Sequence, residues 1–460
     1  MNYKGINIDN ILEDALKGGA GFAELFFEET TFTNIRGESK KVDKAISGID
    51  SGVGLRLFYN NTVYYASTTT TTEEGIRTLL STLSEYMITN IAHKRIVLPG
   101  LIRAATNVIQ TPPGASMSRK AGILMAAQRE AYKVSDQIIQ VQSGYIDSVR
   151  KIAVFSTEDA SVEDEQIRTT ISVNTILQTD GRLYTGYESL GGSIGMELFD
   201  NDAHIRTAKT AANRAVKMSN SISIPGGQMT VVLSSEAGGT MIHEAVGHGL
   251  EADLVYRGLS VYTGKLGQQV AASTINVVDD PTIPGMRGSF NYDDEGTKAK
   301  RNVVIEEGIL KGYLFDLKHA MEQHSQPTSN GRRESFRYPP IPRMTNTLIL
   351  SGKDNPDEII AEVDNGLLVF KMGGGEVNTA TGDFVFEITE AHIIEHGKIG
   401  PPVEGATMLG NGPKVLGEID RVGSDIGYGI GTCGKESQGV PVADGQPTLR
   451  IPRILVGGKK

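Results

Sequence analysis

The amino-acid sequence predicts an α+β protein: an N-terminal α/β region of two subdomains, followed by a β-rich, barrel- or sandwich-like C-terminal domain. Three observations predict it. Helical periodicity alternates with strand-like segments through the first half of the chain, turn dipeptides separate the strand-like runs, and strand patterns dominate from Met229 onward. The chain has 460 residues, 39% of them hydrophobic, which is more than one ordinary domain accommodates. The expected units are 1–105, 106–223 and 224–460.

DNILEDALKGG opens the first unit as a short capped helix closed by glycine. GVGLRLFYNNTVYYAS alternates on both sides of Asn60-Asn61, a hairpin signal. TTTTTEE, residues 68 to 74, reads as a strand exit and the N-terminus of the helix EEGIRTLLSTLSEYM. The loop formers of LPGLIRAATNVIQTPPGAS mark the first boundary. The second unit begins with the helix SRKAGILMAAQREAYKV. It continues through strand-like IIQVQSGYIDSV, KIAVFSTED and QIRTTISVNTILQTDGRLYTGYES, with Asp180-Gly181 as a hairpin turn, and closes with the helix NDAHIRTAKTAANRAVKMSN. SISIPGGQ is the next linker. Beyond it, hairpins are expected at Glu307-Gly308, Thr381-Gly382 and His396-Gly397. No fixed-period repeat or low-complexity tract stands out.

The composition narrows the function. A net charge of −10 and a pI of 5.4 argue against a general binder of phosphate backbones, so nucleic acid is not an expected partner. MNYKGINIDNILEDALKGG lacks the long apolar run of a signal peptide, and no stretch approaches ~18 consecutive apolar residues, so no membrane span is expected. Cys433 is the only cysteine, which rules out an internal disulfide and fits a reducing cytoplasm.

Chemistry concentrates in SSEAGGTMIHEAVGHGLEADLV, residues 234 to 255, where His243 and His248 stand five apart and Glu244 follows the first. On a regular helix, residues four apart differ by ~40° around the axis, whereas residues five apart differ by ~140°. One additional residue in the turn, a π-bulge, returns both histidines to one side. Gly247 is the residue type that tolerates such a distortion, and Gly249 helps the chain leave the helix. The apolar Met241, Ile242, Ala245 and Val246 predict that this helix is buried.

A catalytic metal site needs about three protein ligands and one open position. Cys433, between Gly431 and Gly434, is a candidate third ligand because a thiolate binds zinc strongly; Glu251 and Asp253 are further candidates. Glu244 takes the general-base position of helix-borne zinc peptidases. Two other histidine pairs lack these features. His319 and His324 have the same spacing without the adjacent glutamate or the glycine, and His392 and His396 lie in an alternating run, where four residues span ~13 Å.

With HEAVGHGLEAD, the blocks DDEGT, IEEGILKGYLFD, NGRRESFRYPPIPRMTN, GGGEVNTATGDFVFEITEA, VEGATMLGNG and GTCGKESQGVPVADGQPTL follow in order. Together they resemble the TldD/PmbA family, specifically its metal-bearing TldD-type members, a family also labelled modulators of DNA gyrase. The resemblance is dense from Ser234 to Gly458. It implies a cytoplasmic zinc metallopeptidase acting on unfolded or modified peptides, with one Zn2+ per metal-bearing subunit. His243, His248 and Cys433 would bind the metal and Glu244 would be the base. It also implies pairing with a PmbA-type paralogue that lacks the metal motif, or otherwise a homodimer.

For substrate, the run Met372-Gly373-Gly374-Gly375 could accept a peptide as an added strand, or be a plain glycine-rich turn. Arg332, Arg333, Arg337 and Arg343 could orient a carboxylate or stabilise an oxyanion, or form a solvated loop face. Two rival functions are a non-enzymatic regulatory protein with structural metal or none, and a cysteine hydrolase using Cys433.

Overall fold

The structure, a computed structural model, describes Met1, residues 3–87 and residues 95–458. One long sheet collects the strands of the first 192 residues in the order Thr62–Thr68, Lys41–Tyr59, Phe22–Glu38, Ile138–Ser156, Ser161–Thr179. Both Arg182–Gly192 and the short Ile102–Arg103 pair with the last of these. Residues from either side of position 105 therefore share a sheet. The expected hairpins turn where the residue types allow positive φ: Asn60 and Asn61 at 48° and 59°, Asp180 and Gly181 at 49° and 76°. A third such turn, Ser39-Lys40, carries no comparable dipeptide signal.

The strand Phe22–Glu38 lacks strict alternation because both faces of its first half are covered. Leu25 and Phe27 pack with the helices Ile8–Lys17 and Glu73–Ser84, while Phe26 packs against Phe336 of the C-terminal region. IIQVQSGYIDSV and KIAVFSTED join as the single strand Ile138–Ser156. The helix Ile8–Lys17 begins where the Asn7 side chain accepts from the Asn10 N–H, and it buries Ile8, Ile11, Leu12, Ala15 and Leu16. That three-and-four spacing makes one apolar stripe, each large side chain contributing about 1.5–3 kcal/mol. Helices Met117–Tyr132 and Ala203–Met218 cover the other end of the sheet around Leu124, Tyr145, Ile171 and Ala211.

The C-terminal region contains a closed five-stranded barrel. Gly227–Leu233 pairs with Asn365–Val377, then Asp383–Glu395, Ala406–Asn411 and Leu449–Gly457 follow, and the last returns to Gly227–Leu233. Closure leaves these five strands without a free edge. A second sheet of six strands ends in Asn346–Ile349, Gln438–Gln446 and Gly427–Lys435. Between barrel and sheet sits the segment Thr240–Tyr256, whose Met241, Ile242, Ala245 and Val246 share one core with Val231 and Phe386 of the barrel and Val277, Ile349 and Val442 of the sheet. Gly373–Gly375 lies inside the barrel strand Asn365–Val377, where the register breaks between Met372 and Gly375, and not in a turn ahead of strands. Among the described residues no helix is long and apolar enough to cross a membrane.

Candidate metal centre

The segment carrying the histidines changes geometry where the sequence requires it. An α-helical turn at Thr240–Ile242 widens to a π-turn over His243–Gly247, then tightens to a 3₁₀ turn at His248–Leu250. The His248 N–H donates to the carbonyl of His243, five residues back. The reason for glycine here differs from the expectation. Gly247 has ordinary helical angles (φ −53°, ψ −57°), so backbone freedom is not what selects it. A Cβ at Gly247 would stand 1.8 Å from Sδ of Met344, and one at Gly249 2.7 Å from the ring of Tyr262. Close approach selects both glycines. Tyr262 in turn donates its hydroxyl to the carbonyl of Ala245 at 2.9 Å, satisfying a carbonyl of the widened turn.

The third donor arrives from the last strands of the six-stranded sheet. Gly427–Lys435 and Gln438–Gln446 form a hairpin turned by Glu436 and Ser437 at φ 48° and 60°. Its first arm carries Cys433 and its second carries Asp444. Sγ of Cys433 lies 3.2 Å from Nε2 of His243 and 3.4 Å from Nε2 of His248. These three residues form the one group, among the described residues, whose His, Cys, Asp or Glu donor atoms lie close enough to hold a metal ion, all within 4.8 Å of one another.

Each imidazole is oriented from behind. Nδ1 of His243 meets Oδ1 of Asp444 at 2.8 Å, and Nδ1 of His248 meets Oε2 of Glu251 at 2.9 Å. A carboxylate on Nδ1 keeps the proton there and turns the Nε2 lone pair toward the shared point. Glu251 is fully buried, and it also pairs with Lys435 at 3.1 Å, which pairs with Asp253 at 2.7 Å. Glu251 and Asp253, candidate ligands by sequence, therefore stand one layer behind the donor group. Burial pushes the Glu251 carboxyl up, but Lys435 first and then His248 outweigh it and hold the group at about 2. Without a metal both rings also hold a proton on Nε2. Burial raises the Cys433 thiol, and hydrogen bonds from these Nε2–H groups overcome it, bringing the thiol down to about 5. Such a sulfur is a thiolate at neutral pH, the form that ligates metal.

Glu244 projects from the π-turn into the same space. It lines a cavity of about 500 Å3 together with His243, His248, Cys433 and Gly375, and a neighbouring cavity of about 520 Å3 with His243, Thr432 and Met372. Burial raises its carboxyl above the usual range, the two histidines opposing the shift.

The remaining sequence candidates divide. Gly375 lines the first cavity, whereas Gly373 and Gly374 are not among its walls. Arg343 has no exposed surface and donates to the Cys433 and Gln438 carbonyls, so it supports the ligand strand and cannot meet a substrate. Arg337 is held in a bidentate pair with Asp50, outside the walls of both cavities. His319 pairs with Asp316, His392 with the Gly400 carbonyl and His396 with Asp364. Sequence reasoning missed Asp444 and Lys435. Asp444 sits in an ordinary strand-and-glycine context, while a lysine two residues beyond Cys433 was a visible signal.

Comparison with known proteins agrees along the whole chain. Family models for the PmbA/TldA metallopeptidase domain 1, central domain and C-terminal domain match residues 23–85, 110–219 and 226–458. The metalloprotease TldD homolog of Haemophilus influenzae is 34% identical over 98% of this chain and 95% of its own. The zinc metalloprotease TldD homolog of Saccharolobus solfataricus is 26% identical over 96% of this chain and 97% of its own. Among solved structures, TldE from Thermococcus kodakarensis shares the fold with a TM-score of 0.77 at 16% identity, covering 98% of this chain and 100% of its own.

Proposed function

The chain belongs to the PmbA/TldA metallopeptidase family, and from that premise we propose that it is a zinc peptidase hydrolysing unfolded or modified peptides, with Glu244 as general base. The observation that carries the reading is the convergence of Glu244 with His243, His248 and Cys433 on one cavity. The donor set fits the ion. Zinc bonds of roughly 2.0–2.3 Å in tetrahedral geometry separate nitrogen and sulfur ligands by roughly 3.5 Å, and the separations here are 3.2 and 3.4 Å. Mixed nitrogen and sulfur donors favour zinc over magnesium, calcium or manganese.

When bound, the ion supplies Lewis acidity toward the scissile carbonyl and toward water. Asp444 and Glu251 keep the two imidazoles in the tautomer and orientation that present Nε2. Lys435 and Arg343 fix Glu251 and the backbone of Cys433 respectively. A carboxylate oxygen of Glu244 takes the proton of the attacking water and passes it to the leaving nitrogen, a task suited by its raised proton affinity. The first cavity opens to solvent past Glu376, Thr432, Gly434 and Glu436, which gives an extended chain access to the donor group and supports an unfolded peptide as substrate. Pairing with a second subunit, of PmbA type or the same chain, belongs to the same proposal, and sedimentation checks it.

One observation favours a second reading. Cys433, His243 and Asp444 also have the order of a nucleophile, a base and an orienting acid. That reading leaves His248 and its carboxylate without a task. Zinc-loaded protein is expected to cleave an unstructured peptide and not a folded domain of similar composition, and a chelator is expected to abolish cleavage reversibly. Cleavage that survives chelation but not thiol alkylation would move the assignment to the cysteine mechanism.

A further inference from the structure

A third cavity, of about 250 Å3, lies between the N-terminal sheet and the C-terminal region. It shares Thr432, the neighbour of Cys433, with both cavities at the metal group. Five arginines line it against two carboxylates, Glu28 and Glu334. Two of the five are neutralised. Arg150 pairs with Asp294 at 2.7 Å and Glu28 at 3.3 Å, and Arg333 pairs with Glu24 at 2.5 Å. Arg168, Arg287 and Arg332 have no carboxylate oxygen within 4.0 Å among the described residues. Neutral groups hold them instead: Arg168 donates to the carbonyls of Arg287 and Ser289, Arg287 to the Gly431 carbonyl and the Thr170 hydroxyl, and Arg332 to the carbonyls of Met344 and Pro441.

Carbonyls orient a guanidinium but do not cancel its charge, and like charges gathered in a partly dry cavity destabilise the fold unless an anion joins them. Burial and then the neighbouring Arg332, Arg150 and Arg287 push Arg168 well below the ordinary arginine range. Arg332 falls to about 10 from burial and Arg343, against the pull of Asp294. Planar forks of this kind match the two oxygens of a carboxylate.

We infer that the cavity lined by Arg168, Arg287 and Arg332 is a subsite for a carboxylate of the bound peptide, placed beside the metal group across Thr432. The inference rests on the peptidase reading for the carrier of that carboxylate, which is either the C-terminus or an acidic side chain. The test measures binding rather than turnover. Four fluorescent unstructured decapeptides are titrated against the full chain by anisotropy: one aspartate or asparagine, each as free acid or C-terminal amide. Loss of the carboxylate that occupies the cavity is expected to weaken binding about tenfold, and the pattern among the four names its source. In Arg287→Gln, checked by thermal melting, the preference is expected to fall to about twofold or less. In the unaltered protein, sulfate at constant ionic strength is expected to displace the carboxylate-bearing peptide selectively. Equal affinity for all four peptides, or a preference untouched by both sulfate and Arg287→Gln, would overturn the inference. Acidic-peptide binding without cleavage would count against the peptidase reading alone.

Discussion

Oδ1 of Asp444 stands 2.8 Å from Nδ1 of His243, although 201 residues separate them in the chain. Because one hairpin carries both Asp444 and Cys433, the carboxylate that orients the imidazole and the sulfur opposite its other nitrogen move together. Asp444→Ala is expected to weaken metal affinity roughly 10- to 100-fold, measured by competition with a chelator. Unchanged affinity would mean that packing alone holds the ring.

Glu244→Gln is expected to retain metal while peptide hydrolysis falls by roughly 10²- to 10⁴-fold, because the amide cannot take the water proton. His248→Ala and Cys433→Ala are expected to lower metal content as well. Elemental analysis beside peptide turnover separates the two classes, and hydrolysis retained in Glu244→Gln would remove the general-base assignment.

Gly247→Ala places a methyl group into Met344. The expected cost is about 1–3 kcal/mol in denaturant melts, together with weaker metal binding as the π-turn shifts. A variant as stable as the parent would show that Met344 moves aside freely.

The Glu251 carboxyl lies at about 2 in the fold against an ordinary 4.5. A depressed carboxyl contributes stability that is fully present above the ordinary value and is lost as pH falls through the folded one. In chelator-treated protein, the stability advantage over Glu251→Gln is therefore expected to shrink, on the order of 1–3 kcal/mol, between pH about 4.5 and about 2. Urea melts across that range check it, and parallel profiles for the two proteins would contradict it.

Much of this was legible in the sequence, for reasons local to the chain. The hairpins at Asn60-Asn61, Asp180-Gly181 and His396-Gly397 follow from residues that accept positive φ. The widened turn follows from the angular mismatch of a five-residue spacing. What stayed hidden depends on distant partners. Asp444 looks like any strand residue until the hairpin folds onto His243. The reason for Gly247 is a methionine 97 positions later, at Met344. The first half of Phe22–Glu38 shows no alternation because helices cover one face and Phe336 the other. Arg343 reads as a substrate group until its complete burial and its bond to the Cys433 carbonyl are seen.

Arg56, fully buried in the N-terminal sheet, joins Glu24 of that sheet to Glu295 of the C-terminal region at 2.5 Å each, and Arg333 returns from the C-terminal region to Glu24. Separating the two regions would take Glu295 and Arg333 from the partners they have in the N-terminal sheet, while Arg56 and Glu24 would keep each other. The two regions are therefore expected to unfold together, with coincident transitions in urea melts followed by different probes. Chimeras that exchange the N-terminal sheet between relatives would have to carry Glu24, Arg56, Glu295 and Arg333 across as a set.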